Sequence, residues 1–145
     1  MNRLLFGIVT VGALLACQGE TVGPSTAGGL TLSLVLSSGQ LRRGEIDTIV
    51  VTLTNTNRHA VSLTAGGCPL LVSVTDAHGT TVVPSGGVWV CPAVITQITL
   101  AAGARETRSY VWATDSFESG PYTVVGTFAA QGVRLSTSRA SVQLN

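Results

Sequence analysis

The chain contains no lysine at all; its eight basic residues are every one an arginine. That usage reads as a codon or lineage bias rather than as function. Charge of either sign is scarce, at 10% of residues against about 25% in a typical soluble domain. A formal net charge of +1 supplies no basic face with which to displace counterions, so nucleic acid is excluded as a partner. No apolar run approaches the roughly 20 residues that a membrane-spanning helix needs, and no stretch carries a helical repeat. There is no Cys-x-x-Cys pair, and only His59 and His78 stand ready to complete a ligand set, so a zinc site has little support and no cofactor is implied. Nucleophile elbow, phosphate loop and dinucleotide fingerprint are all missing. Carboxylates are few and unpaired, and both histidines fall in turn-prone clusters. These absences argue against an enzyme.

What is present is a β composition. Hydrophobic residues make up 45% of the 145, with Val, Thr, Leu, Ser and Gly recurring throughout and long-side-chain helix formers sparse. The length suits one domain.

The first sixteen residues stand apart. Asn2-Arg3 gives a charged start, and Leu4 to Ala16 is apolar apart from Thr10 and two glycines, the n- and h-regions of a secretory signal. The run ends Leu14-Leu15-Ala16-Cys17, which resembles the lipobox of bacterial lipoproteins. The resemblance implies cleavage after Ala16, thioether diacylation of Cys17 and N-acylation of the new terminus. The alternative is an ordinary signal peptide that happens to end near a cysteine. One acyl chain holds a protein only marginally, whereas two or three anchor it durably. Gln18 is not the aspartate that resembles an inner-membrane retention signal, so in a bacterium with two membranes the outer one is favoured. Residues 17–29, polar and rich in Gly, Ser, Thr and Pro, read as a flexible tether.

From residue 30 to 145 the pattern alternates with period two. Leu30, Leu32, Leu34 and Leu36 mark one strand face; Ile49, Val51 and Leu53 mark the next. Ala60 to Thr64 reads as a short return strand, and Leu70, Val72 and Val74 as the inner face of another. Asp76-Ala77-His78-Gly79 suits a hairpin turn. Ile95 to Leu100, Arg108 to Trp112 and Tyr122 to Phe128 continue the pattern. Val133 and Leu135 are odd while Val142 and Leu144 are even, which predicts a bulge near Thr137 to Arg139. Seven to nine short strands in one domain predict an immunoglobulin-like antiparallel β-sandwich, with a jelly roll or other barrel as the alternative. Gly120-Pro121-Tyr122-Thr123-Val124 fits the tyrosine that bonds back to its preceding loop in such folds.

Several of these segments, in order, resemble the family of intracellular proteinase inhibitor (BsuPI-like) domains. They are Val51-Thr52-Leu53-Thr54-Asn55, Val74 to Gly79, Leu100-Ala101-Ala102-Gly103, Tyr110-Val111-Trp112 and Gly120 to Gly126. The resemblance covers most of the mature domain and implies a sandwich that inhibits proteinases. The export signal and the cysteine pair are departures from that family.

With Cys17 assigned to lipid, Cys68 and Cys91 remain, an even pair in an oxidising compartment, and are expected to form a disulfide. It would close a loop of about two dozen residues and stabilise by about 3 kcal/mol. Beside it, Pro84 to Pro92 holds a candidate binding loop: Gly86 and Gly87 free the backbone, and Val88, Trp89 and Val90 form an apolar run. Trp89 either stands out as an aromatic anchor or folds inward and plugs the sandwich. Together these readings give a non-catalytic lipoprotein of the cell envelope. It would be held to membrane lipid through acylated Cys17 and bind another protein, or alternatively inhibit a proteinase through an exposed loop. Cys17→Ser is expected to abolish palmitate labelling and leave an uncleaved precursor; labelling that persists would remove the lipobox assignment.

Overall fold

Leu30, Leu32, Leu34 and Leu36 are all buried, and their alternation decides the first sheet of the computed structural model, which describes residues 21–145. A strand presents every second side chain to the same side, so a leucine stripe must face apolar cover. It lies on β2 (Leu30–Val35), which pairs antiparallel with β4 (Ile46–Asn55). On β4 the odd positions Ile49, Val51 and Leu53 join the stripe. β1 (Thr21–Ala27) flanks β2, and β9 (Arg105–Ala113) flanks β4, giving a four-stranded sheet in the order β1-β2-β4-β9.

The facing sheet has the order β3-β12-β10-β6-β7, with β11 also on β10. Its members are β3 (Gln40–Leu41), β6 (Leu70–Thr75), β7 (Thr81–Val83), β10 (Gly120–Ala130), β11 (Val133–Ser136) and β12 (Ala140–Leu144). Inward side chains here include Leu70, Val72, Val74, Tyr122, Val124 and Phe128. The two sheets close on each other tightly at Gly126, where an added Cβ would lie 3.1 Å from Val51 and 3.3 Å from Leu34. All ladders are antiparallel except β3 on β12.

The immunoglobulin-like all-β sandwich read from the alternation is therefore what the described residues adopt, in twelve strand segments rather than seven to nine. The excess comes from short pieces that periodicity does not resolve, such as the two residues of β3 and the three of β7. A further split falls where parity changes: β11 ends at Ser136 and β12 begins at Ala140, matching the bulge expected near Thr137 to Arg139. Thr137 keeps the ladder closed across that break, its N–H donating to Gly126 O at 2.9 Å and its hydroxyl accepting from Gly126 N at 3.0 Å.

One boundary requires correction. Residues 17–29 do not form a tether throughout, because Thr21–Ala27 is β1, running antiparallel to β2 from Thr21↔Val35 to Ala27↔Leu30. Composition misled here because an edge strand needs backbone partners rather than an apolar face. Gly28 (φ 59°) and Gly29 (φ 73°) make the turn. Two successive positive φ values give the hairpin turn whose twist matches the strands. The signal segment and Cys17 lie outside the described residues.

Across one end of the sandwich lies a separate ribbon, β5 (Val61–Gly66) paired with β8 (Ile95–Leu100). Asn55, wholly buried at the end of β4, fastens it. Its amide Nδ2 donates to the carbonyls of His59 (2.9 Å), Leu100 (2.9 Å) and Ala101 (3.0 Å), while Oδ1 accepts from Asn57 N (3.0 Å). Asn55→Ala strands buried carbonyls without donors, at about 1–3 kcal/mol. A fall of that size in the free energy of unfolding, with an unchanged denaturant slope, is the expected result.

Candidate functional site

The disulfide is present: Cys68, just after β5, is bonded to Cys91, with Cα atoms 5.6 Å apart. It ties the end of the ribbon to the segment 84–94, which leaves β7 and returns as β8. Segment 84–94 climbs the open side of the sandwich between β7 and β9. Its central residue points inward. Trp89 is half-buried, donates Nε1–H to Val72 O at 2.7 Å, and packs against Tyr110 with ring centroids 5.1 Å apart. Tyr110 in turn donates its hydroxyl to Leu70 O. An indole N–H deprived of water needs such an acceptor, so Trp89 plugs the gap between the sheet edges.

The neighbours of Trp89 do the opposite. Val88 is 74% exposed and Val90 97%, as alternation along an extended segment requires when its middle residue turns in. Gly86 and Gly87 are exposed at the approach, both with φ 78°. Val94 and Ile95 continue the apolar surface beyond Cys91. No charged side chain occurs between Asp76 and Arg105. Of the residues expected to form a binding loop, the structure thus exposes Gly86, Gly87, Val88 and Val90 and turns Trp89 inward as a half-buried support.

Titratable groups are dispersed. His59 and His78 are exposed in separate turns. Asp76 spends its carboxylate inside the hairpin, Oδ1 accepting from His78 N (2.9 Å) and Thr80 N (2.8 Å). Asp47 is wholly buried, and its Oδ1 accepts from Ser37 N (2.9 Å) and from the Ser37 hydroxyl, which fastens the link leaving β2. Among the described residues no group of three or more His, Cys, Asp or Glu is arranged to hold a metal ion. A cleft between the Asp76 hairpin and the 114–119 loop is lined by His78, Phe117, Glu118 and Tyr122. Tyr122 closes that loop, its hydroxyl donating to Glu118 O at 2.7 Å, and stacks edge-on against Trp112 at 5.3 Å.

Comparison with known proteins yields fold and little else. No protein-family model matches the chain, and no curated protein matches it. Among solved structures, the CARDB domain of the PF1109 protein from Pyrococcus furiosus, in complex with di-metal ions, is similar at TM-score 0.51 and 12% identity. That similarity covers 92% of this chain and 100% of that one. The C-terminal domain of wzt is similar at TM-score 0.51 and 10% identity, over 88% of this chain and 78% of that one. The chain spans only 30% of the Pseudomonas fluorescens alkylpurine DNA glycosylase AlkC, with TM-score 0.47 and 17% identity over 81% of this chain.

Both tyrosines titrate above the ordinary 10.0. Burial raises Tyr110, against a smaller lowering by Arg108. Burial raises Tyr122 too, reinforced by Asp76 and Glu118 and opposed by the hydrogen bond to Glu118. A folded value above the unfolded one means that the neutral phenol is the form the fold holds. Its contribution is complete below the unfolded value and is lost as pH rises through the folded one. Since the chain has two tyrosines, phenolate absorbance should rise only above the range of free tyrosine, together with loss of stability. A normal titration curve in the folded protein would contradict both environments.

Proposed function

We propose that the chain is a non-catalytic, membrane-anchored surface lipoprotein whose sandwich binds another protein through the stapled segment from Gly86 to Ile95. One observation carries the reading: of seven large hydrophobic side chains exposed among the described residues, four (Val88, Val90, Val94 and Ile95) fall in this segment. Clustered exposed apolar surface marks interaction sites. The disulfide and the Trp89 plug fix the segment in advance, so little ordering cost attends binding.

The segment carries no lysine or arginine, whereas surface helices and loops that bind anionic lipid carry cations, and this favours a protein over lipid as the occupant.

A second reading follows from the same segment and from the family resemblance: a proteinase inhibitor that offers Val88 to Val90 as a rigid substrate-like stretch. The two are separated by one set of proteins. Val88→Asp combined with Val90→Asp alters only exposed positions and leaves the fold intact. Capture of an envelope protein by the wild type and its loss by this variant supports the binding module; equal capture by both removes the segment from the proposal. Stoichiometric inhibition of a serine or metalloprotease, lost in the same variant, would establish the inhibitor instead.

A further inference from the structure

Sheets normally protect their edges with short strands, prolines, bulges or covering segments. Three edges of this sandwich follow the rule. β1 carries Pro24 and a register shift between Val22 and Ser25; β3 has two residues and β7 three. β9 follows it only at one end, where Trp89 packs against Tyr110. Its nine residues pair with β4 without a register shift and contain neither proline nor glycine. Among the described residues, no backbone hydrogen bond joins Arg105–Ala113 to any strand but β4. The strand that would ordinarily hairpin with it, β8, is only four residues upstream. Asn55 holds the carbonyls of Leu100 and Ala101, and β8 pairs with β5 instead. A groove flanked by Thr96, Ile98, Glu106 and Arg108 separates β8 from β9. Trp89 covers the β9 edge only as far as Tyr110.

We infer that Arg105–Ser109 of β9 pairs antiparallel with the same segment of a second copy of this chain, about a two-fold axis through Thr107. The charges select that axis. Glu106 and Arg108 lie two apart on one face, 3.3 Å from each other and both solvent-accessible. Antiparallel pairing centred on residue 107 sets each Glu106 directly opposite the Arg108 of the other copy, twice over, so the four charges alternate. Opposite charges directly across a strand pair are favourable and like charges are not. Thr107 meets Thr107, a favoured cross-strand pair, and Arg105 meets Ser109. Such a C2 contact is self-complementary and closes, so it yields a dimer with an eight-stranded sheet rather than a fibre. It uses residues other than Gly86 to Ile95, which borders it where Trp89 packs on Tyr110, and it does not rest on the protein-binding reading.

The test uses the whole chain in detergent solution, with mass measured by light scattering over a concentration series. A dimer is expected. Arg108→Glu faces Glu106 with a like charge and should weaken association about tenfold. Glu106→Arg should do the same, and the double exchange should restore it. Directly opposed residues in an antiparallel pair have Cα atoms about 4.5–5.5 Å apart, within disulfide range. Oxidation of Thr107→Cys is therefore expected to give a covalent dimer joined through position 107. Arg105→Cys, whose symmetry mate is displaced along the strand, should not crosslink through position 105. A monomer at every concentration, or equal crosslinking by both cysteine variants, would overturn the inference.

Discussion

A single buried amide governs how the two ends of this sandwich differ. Asn55 closes β4 by donating to three carbonyls on two other segments and accepting from a fourth group. Because a buried amide without partners is costly, the backbone around it is held to one arrangement: the turn at His59, the end of β8 and the turn into β9 all converge there. β8 is thereby committed to β5, and the strand that would have completed the first sheet becomes part of a ribbon across its end. The free edge of β9 and the placement of the stapled segment both follow from that commitment.

The opposite end is organised by aromatics rather than by an amide. Trp112, Phe117 and Tyr122 contact one another at centroid distances of 5.3 to 6.3 Å, and the Tyr122 hydroxyl ties down the loop that precedes its own strand. Chain entry into β1 is directed from this side. The molecule therefore has a polarity: one end receives the chain and is closed by aromatic contacts, while the other carries the ribbon and the disulfide.

Trp89 illustrates how support and display are divided within one short run. In Val88-Trp89-Val90 the residue with the largest apolar body turns inward, where Tyr110 covers its ring and Val72 accepts its N–H. The two valines are forced outward as a consequence. The exposed surface is thus made of small rigid side chains mounted on a half-buried aromatic and pinned by Cys68–Cys91. Such a mounting holds an apolar surface in water without letting it collapse onto the core.

The period-two alternation of Leu30 to Leu36, of Ile49 to Leu53 and of Leu70 to Val74 determined by itself that these segments are strands with one apolar face needing cover; that the cover is a second facing sheet rather than closure into a barrel was decided by the tertiary structure. The parity change between Leu135 and Val142 located the break between β11 and β12, and the cysteine count paired Cys68 with Cys91. The pairing of Thr21–Ala27 was not legible, because an edge strand is recruited by backbone groups that every polar residue also carries. Asn55 shares the odd parity of Val51 and Leu53, a sign of burial that its polar type masked. Which way Trp89 turns, and that β8 leaves β9 for β5, were decided only by tertiary structure. Both depend on hydrogen-bond partners, the carbonyls of Val72, Leu100 and Ala101, that the fold brings together from distant parts of the chain.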